Sequence, residues 1–361
     1  MRIGLVIYGS LDTLSGGYLY DRRLVEYLQG QGDSVEVVSM PWKHYPAHLA
    51  HHLDPVWLRR LAGLDVDVLL QDELNHPSLV WMNEPLKAKV RYPILSIVHH
   101  LRGSESHQYL AAPLYRTVEK QYLRTVDGFV FNSQTTRKVV EGILGKTVKG
   151  IVATPGGDRL GSGLSEAEIR ARFEESSALK LLFVGNIIAR KGLDTLIEAL
   201  ARIKGVDWSL RIAGRDDVDP AYTVLVKRMV RDFDLTGQVT FLGRVEENNL
   251  VDELRCAHLL VVPSQYEGFG IVYLEAMAFG LPPVATSAGA ASEIIQSGKN
   301  GLIVQPGNPL NMAERLADLF HDRQKLLAMS LAARERFEQF PGWDTSMAVV
   351  RQFLLSWVQE G

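Results

Sequence analysis

One stretch of the sequence joins an apolar run, a glycine-bearing loop and a second apolar run: Leu259-Leu-Val-Val-Pro-Ser-Gln-Tyr-Glu-Gly-Phe-Gly-Ile-Val-Tyr-Leu-Glu-Ala-Met-Ala278. The first run predicts a buried strand and the second a helix. Gly268 and Gly270 allow close approach of the backbone to a ligand. Because the N–H groups and the dipole of a helix N-terminus attract anions, the stretch predicts an anion site at the end of a strand of an α/β sheet.

Short apolar runs alternate with helical patterns along the rest of the chain, which predicts parallel sheets flanked by helices. The first set of predicted strands covers residues 3–8, 35–38, 66–70, 94–98, 129–132 and 150–154. The second set covers residues 179–184, 209–213, 239–242, 259–262, 283–286 and 301–304. Two doubly wound α/β domains follow, each with a ligand crevice at the carboxyl ends of its strands, and we expect the active site in a cleft between them.

Turn residues at 155–163 mark the predicted domain boundary. The sequence predicts a first domain over residues 1–160 and a second over residues 178–340. A last helix, residues 344–361, follows the break at Pro341-Gly-Trp343, and we expect it to pack back on the first domain.

Composition excludes several classes of protein. The chain has 361 residues, 46% hydrophobic and 22% charged, which is typical of folded globular proteins and not of disordered or coiled-coil chains. A net charge of -3 gives no overall positive field for a nucleic acid backbone, so nucleic acid is excluded as the main partner.

The sequence also bears on compartment. The single cysteine, Cys256, cannot form an intrachain disulfide, and its neighbours Ala257 and Leu259 predict a buried, unreactive thiol in a reducing cytoplasm. No run of about 18 apolar residues is present that would span a bilayer. We therefore expect a cytoplasmic protein, with peripheral contact at the inner face of the membrane left open.

The two carboxylates of the opening stretch, Glu267 and Glu275, are eight positions apart. This spacing resembles the E-x7-E motif of retaining glycosyltransferases of family 4, the glycosyl transferases group 1. The resemblance extends over nearly the whole chain, with further matches at Gly16-Gly17, Val98-His-His-Leu101, Phe131-Asn-Ser133, Leu182-Phe-Val-Gly-Asn-Ile-Ile-Ala-Arg-Lys-Gly-Leu193, Ile212-Ala-Gly214, Val239-Thr-Phe-Leu-Gly243 and Glu293-Ile-Ile-Gln-Ser-Gly-Lys-Asn-Gly-Leu-Ile-Val304. It implies the GT-B fold, in which two Rossmann-like domains face each other across a cleft.

The resemblance also implies roles for individual residues. Arg190 and Lys191 correspond to the family's diphosphate-binding position, Glu267 to a residue that grips the donor sugar, and His99 to a histidine near the anomeric carbon. These four residues are the implied catalytic set: His99, Glu267, Arg190 and Lys191. The implied donor-binding set is Gly16, Gly17, Gly185, Asn186, Val245, Gly268, Phe269, Gly270, Ile271 and Glu275, with Glu275 on the ribose hydroxyls and the segment around Val245 near the base.

Two positions depart from the family's pattern. Asn186 stands where the family often has an arginine, and His100 stands where it often has an aspartate. These departures keep an alternative open, namely a catalytically silent GT-B protein that binds a sugar nucleotide or serves as a scaffold. A dehydrogenase is disfavoured, because no Gly-x-Gly-x-x-Gly follows the first strand.

The implied reaction moves a hexosyl group, with retention, from a UDP- or GDP-sugar to a hydroxyl of a glycan, glycolipid or small-molecule acceptor. Neither a metal nor another cofactor is expected, since cations and backbone amides hold the diphosphate. The chain offers no Asp-x-Asp motif beside the donor loop, and we expect Asp65-Val-Asp67 to lie on the surface.

The acceptor region is less determined. The segment from Pro41 to Trp57 is rich in aromatic residues and histidine, and it is followed by Arg59-Arg60. It fits an acceptor pocket, a membrane-facing surface or an ordinary surface helix and loop. A metal site on His48, His51 and His52 is a weak alternative. The loop from Leu101 to His107 is a second candidate for acceptor contact.

Overall fold

The structure, a computed structural model, describes residues 1–104, 112–175 and 178–360. The chain divides into two units, unit 1 with Met1–Pro155 and Pro341–Gly361, and unit 2 with Gly156–Phe340. Each unit holds one six-stranded sheet in which every pair of neighbouring strands is parallel. The predicted pair of doubly wound α/β domains is therefore confirmed.

The sheet of unit 1 has the order β2-β1-β3-β4-β5-β6. Its strands are β1 (Arg2–Tyr8), β2 (Ser34–Met40), β3 (Val68–Asp72), β4 (Ile94–Val98), β5 (Gly128–Phe131) and β6 (Gly150–Val152). Its helices are α1 (Gly16–Gly30), α2 (Tyr45–Leu49), α3 (Pro55–Ala62), α4 (His76–Leu79), α5 (Asn83–Lys87), α6 (Ala112–Leu123), α7 (Gln134–Leu144) and, from the end of the chain, α16 (Trp343–Glu360). Every residue of β3 and β4 is buried, as a sheet covered on both faces requires.

The sheet of unit 2 has the order β12-β11-β10-β7-β8-β9. Its strands are β7 (Leu179–Val184), β8 (Trp208–Ala213), β9 (Val239–Gly243), β10 (Leu259–Val261), β11 (Pro283–Thr286) and β12 (Leu302–Val304). Its helices are α8 (Glu166–Glu175), α9 (Leu193–Arg202), α10 (Pro220–Asp232), α11 (Glu247–Cys256), α12 (Ile271–Ala278), α13 (Ala291–Ile294), α14 (Pro309–His321) and α15 (Arg323–Glu338).

Local sequence explains where many helices begin. Three of them start with an Asp or Asn cap followed by proline, at Asp54-Pro55, Asp219-Pro220 and Asn308-Pro309. In each case the side-chain oxygen of the cap accepts a hydrogen bond from a backbone N–H of the first turn, and proline loses no hydrogen bond there.

Two expectations about the borders and the surface are wrong. Residues 156–160 belong to unit 2 rather than to the first domain, because Gly157 packs against Leu274 and Arg159 pairs with Glu275. Cys256 is exposed rather than buried, because it ends α11 on the solvent side, while its apolar neighbour Ala257 is covered.

Candidate active site

The loops that follow β7 and β10 meet at the point where the sheet of unit 2 changes direction. The chain runs from β7 outward to β8 and β9, then returns to place β10 on the other side of β7. In open parallel sheets this switch point leaves a crevice at the carboxyl ends of the two strands. Residues 185–192 enter the crevice from β7, and residues 262–270 enter it from β10.

Backbone contacts join these two loops. Gly192 has a φ of +67°, and a Cβ there would lie 2.2 Å from the carbonyl oxygen of Pro263. The backbone N–H of Gln265 donates to the carbonyl oxygen of Arg190 at 2.7 Å, and Arg190 Nη1 donates to the carbonyl oxygen of Tyr266 at 2.9 Å. The positions of the two basic residues are therefore set by the loop that carries Glu267.

Two cations surround one carboxylate at the centre of this crevice. Lys191 Nζ forms an ion pair with Glu267 Oε1, Arg190 Nη1 lies 3.7 Å from the same oxygen, and Ser264 Oγ donates to it at 2.7 Å. Burial alone would raise the pKa of Glu267, but Lys191 and Arg190, with the hydrogen bond from Ser264, lower it to about 2. The carboxylate of Glu267 is therefore ionised at neutral pH. Arg190, Lys191 and Glu267 together carry two positive charges and one negative charge, and we call them the positive group.

The first turn of α12 adds backbone donors beside this group. Its N-cap is Gly270, with a φ of +96°, and a Cβ there would lie 2.3 Å from the ring of Tyr273. Among the described residues no side chain caps this helix. Backbone N–H groups at such an end attract anions, and the anion site that the sequence predicts here stays a prediction.

Glu275 is 4% exposed, on a helix whose last six residues are all buried. Its Oε1 accepts a hydrogen bond at 2.7 Å from Arg159 Nε, and Arg159 Nη1 also pairs with Glu247. The sequence did not single out Arg159, because an isolated arginine among turn residues carries no periodicity. Arg159 therefore orients the carboxylate through Oε1, and Oε2 takes no part in this hydrogen bond.

The remaining predicted donor residues of unit 2 fall into two groups. Gly185 lies under the stem of Lys191, where an added Cβ would be 3.5 Å from Lys191 Cε, and Asn186 follows it in the same loop. Gly268, Phe269 and Ile271 lie on the β10 side of the crevice, and their contact with the donor stays a prediction. Val245 follows β9, which is two strands away from β7.

In unit 1 the predicted residues meet at the switch point between β1 and β3. His99 follows β4, and its Nε2 lies 2.9 Å from Asp21 Oδ1 on α1. Gly16 and Gly17 form the first two residues of α1 rather than a loop before it, because Ser15 caps the helix at the N–H of Tyr18. An added Cβ on Gly17 would lie 3.1 Å from His99 Cδ2, so this glycine makes room for the imidazole.

Among the described residues, His48, His51 and His52 do not form a group that could hold a metal ion. His48 Nε2 accepts from the N–H of Lys43, His51 Nδ1 bonds Ser78 Oγ, and His52 Nδ1 bonds the carbonyl oxygen of Leu49. His48 and His51 are buried, whereas Trp42 and Leu53 are exposed, so the segment has both an inner and an outer face. His107 lies outside the described residues.

A buried cluster of titratable side chains in unit 1 consists of Glu73, His76 and Glu119. Both ring nitrogens of His76 are already engaged, Nδ1 with the carbonyl oxygen of Glu73 and Nε2 with the hydroxyl of Tyr45. Burial, and next the charge of Glu73, raise the pKa of Glu119 to about 7. We assign no metal to this cluster, and the absence of a metal from the reaction stays a prediction.

The geometry can be set beside known proteins. Residues 165–336 match the family described as glycosyl transferases group 1. A GDP-mannose-dependent alpha-(1-6)-phosphatidylinositol monomannoside mannosyltransferase of Mycobacterium tuberculosis (strain CDC 1551 / Oshkosh) is 30% identical over 254 residues. The alignment spans 67% of this chain and 65% of that protein, just under two thirds of its length. The chain belongs to the group 1 glycosyltransferases.

Solved structures show the fold of this glycosyltransferase family member to be GT-B. Sucrose-phosphate synthase from Thermosynechococcus elongatus has a TM-score of 0.84 at 20% identity, covering 100% of both chains. HepE from Anabaena, in complex with UDP and glucose, has a TM-score of 0.78 at 18% identity, covering 99% of this chain and 100% of that one. None of the helices described in this group 1 member combines the length and hydropathy needed to span a membrane.

Proposed function

We propose that this protein is a retaining, metal-independent hexosyltransferase that uses a UDP- or GDP-sugar and acts on a hydroxyl of a glycan, glycolipid or small-molecule acceptor. The observation that carries the proposal is the positive group of Arg190, Lys191 and Glu267 at the switch point of unit 2. A nucleoside diphosphate gains negative charge as it leaves the sugar, and fixed cations lower the free energy of that state.

The side chains of unit 2 suit the parts of such a donor. Arg190 and Lys191 would hold the diphosphate together with the N-terminus of α12, and these donors supply the positive charge that a metal ion would otherwise bring. Glu267, an anion held by Lys191 and Ser264, would accept hydrogen bonds from hydroxyls of the sugar. The second oxygen of Glu275 would accept from the ribose, while Arg159 holds the first.

The resemblance adds the two elements of unit 1. His99 would contact the donor sugar near its anomeric carbon, and the start of α1 at Gly16-Gly17 would face the diphosphate. No side chain is assigned as a covalent nucleophile, so we propose attack on the same face from which the phosphate departs, with that phosphate taking the acceptor's proton. The cytoplasmic location, and a peripheral membrane contact through unit 1, remain predictions.

Asn186 favours the second candidate, a sugar-nucleotide binder without turnover. It occupies the loop of Lys191, and its amide can donate hydrogen bonds but adds no charge where the family often has an arginine. Binding without catalysis would follow if the remaining cations stabilised the ground state and the leaving phosphate equally.

The test is a panel of UDP-, GDP- and ADP-sugars with EDTA present, in which release of nucleoside diphosphate and thermal stability are both measured. A bound ligand at about 100 times its Kd stabilises by about 2.7 kcal/mol, so a binder without turnover is also detected. We expect one donor to stabilise the protein and to be consumed, and Glu267→Gln to abolish consumption while the protein stays folded. A donor that stabilises but is never consumed, with a broad acceptor mixture present, would support the second candidate instead.

A further inference from the structure

One face of α1 holds His99. Gly17, Tyr20 and Asp21 are spaced i, i+3 and i+4, so they lie together on one side of the helix. Gly17 leaves room for the imidazole, with 3.1 Å between an added Cβ and His99 Cδ2. The ring of Tyr20 meets that of His99 edge-on, with 5.1 Å between the centroids, and Asp21 Oδ1 lies 2.9 Å from Nε2.

The contact between Asp21 and His99 is shielded from water. The residue Asp21 is 0% exposed and the side chain of His99 12% exposed. Among the described residues Asp21 Oδ2 has no hydrogen-bond partner, so His99 is the group that compensates this buried carboxylate. A buried charge that lacks its partner is strongly unfavourable, which favours a carboxylate and imidazolium pair at this place.

Further acids face the imidazole from a second element. Asp72, the last residue of β3, places an oxygen within 4.8 Å of Asp21 and His99, and Glu73 follows it. Burial alone would lower the pKa of His99, but Asp21, with Asp72 and Glu73 behind it, raises it to about 9. Burial, and next the charge of Asp21, raise the pKa of Asp72 well above its usual range.

Uncharged groups also contact His99. Burial raises the pKa of Tyr20, whose ring meets the imidazole, so this phenol keeps its proton. Asn132 Nδ2 donates to the carbonyl oxygen of His99, and the ring of Trp343 on α16 meets that of Tyr20 edge-on. These groups leave Asp21 as the nearest source of charge for His99.

We propose that Asp21 is a positioning residue that holds His99 as an imidazolium, with Nε2 fixed on Asp21 and Nδ1–H presented as a charged donor. The proposal rests on the proposed function, in which His99 contacts the donor sugar. A neutral imidazole can have one nitrogen protonated and the other not, whereas the imidazolium donates from both. A charged Nδ1–H donates a stronger hydrogen bond to an oxygen of the bound donor than a neutral imidazole does.

The first test follows the imidazole itself by NMR in the full-length protein with isotope-labelled histidine, where His99→Gln identifies the His99 signal. We expect wild-type His99 to titrate near pH 9, and Asp21→Asn to move its pKa down by more than about one unit. Asp33→Asn is the matched control, because Asp33 is another buried acid of unit 1 and pairs instead with Met1 and Arg351. It should leave the titration of His99 unchanged.

The second test is the pH profile of donor turnover. With His99 returned to its ordinary pKa near 6.5, about 3% of it is charged at pH 8, so Asp21→Asn should lose about 30-fold in kcat at pH 8 and much less at pH 6. A purely structural role of Asp21 would lower turnover equally at both pH values. Asp33→Asn should keep the wild-type profile.

Two results overturn the proposal: a wild-type His99 pKa near or below 6.5, which requires no variant, and a pKa unchanged in Asp21→Asn. The NMR titration requires no turnover. If no sugar nucleotide is consumed, the proposed function fails while the pairing of Asp21 with His99 is still decided.

Discussion

Both units place acidic and basic side chains at the switch point of their sheets, but in opposite proportions. In unit 1 the acids Asp21 and Asp72 face the single imidazole of His99, and in unit 2 Arg190 and Lys191 face the single carboxylate of Glu267. The topology therefore determines where a ligand crevice forms, and the loop residues determine its charge. The positive group suits the binding of a diphosphate. Asp21 and Asp72 instead suit the task of keeping the imidazole of His99 protonated.

The largest effect is expected at the positive group. Lys191→Ala removes one of its two cations and should lower donor turnover by about 10²- to 10³-fold, measured as nucleoside diphosphate released. Lys227→Ala is the matched control, since Lys227 also pairs with a carboxylate, Asp216, but lies outside the crevice. It should leave the rate within about twofold. Loss of rate in both variants would mean that the crevice does not bind the diphosphate.

The glycines of the two groups should respond differently to alanine. Gly192 has a positive φ and its added Cβ meets a backbone oxygen, so Gly192→Ala should cost about 2–3 kcal/mol of unfolding free energy. Gly17 has no positive φ, and its added Cβ would lie 3.1 Å from His99 Cδ2, so Gly17→Ala requires only a small shift of the imidazole and should change stability by less than about 1 kcal/mol.

The tryptophans allow this comparison to be made unit by unit. Trp208 is the one tryptophan of unit 2 in the sequence, and the other five belong to unit 1. Urea unfolding can be followed by fluorine NMR of 5-fluorotryptophan. The loss of unfolding free energy in Gly192→Ala should appear as unfolding of the Trp208 signal at lower urea concentration. Equal losses for Gly17→Ala and Gly192→Ala would show that the positive φ of Gly192 is not the cause.

Stability should depend on pH in opposite directions in the two units. The pKa of His99 is raised from 6.5 to about 9, so its stabilisation is complete below pH 6.5 and is lost, by about 3 kcal/mol, as pH rises through 9. The pKa of Glu267 is lowered from 4.5 to about 2, so its stabilisation is present above pH 4.5 and is lost as pH falls through 2. The tryptophan signals of wild type, His99→Gln and Glu267→Gln separate these losses. If His99→Gln lost the same stability as the wild type when pH rises through 9, that loss would come from a group other than His99.

Salt should produce the smallest difference. Between about 0.1 M and about 1 M salt the Debye length falls from about 10 Å to about 3 Å, so the Kd of the donor for the partly exposed positive group should rise several-fold. The buried pair of Asp21 and His99 should keep its pKa within about 0.3 units over that range. A donor Kd that does not change with salt would argue against a diphosphate held by Arg190 and Lys191.

The sequence predicts the strands of this protein well because their signals are local. The bounds predicted for β4, β7 and β11 agree with the structure residue for residue, since each is an apolar run of fixed length. The loop from Pro263 to Gly270 is likewise recognised from its glycines and from its place between a strand and a helix.

Several contacts at the two switch points form only in the folded protein, and no local sequence pattern indicates them. Asp21 lies in an amphipathic helix, where an acid is ordinarily taken for a surface residue, yet α1 turns it toward His99. Asp72 ends a strand of buried residues, and Arg159 lies among turn residues more than 100 positions before its partner Glu275. The neighbours of Cys256 are apolar, but its own position at the end of α11 is exposed.

The return of the chain to unit 1 at residue 341 has a consequence for synthesis. Arg351 of α16 pairs with Asp33, and Lys149 lies over the ring of Trp357 at 3.8 Å, so residues from the last twentieth of the chain complete unit 1. Unit 2 is continuous and can fold on the ribosome as soon as it emerges, whereas unit 1 waits for α16. The half that is translated first is therefore the half that is finished last.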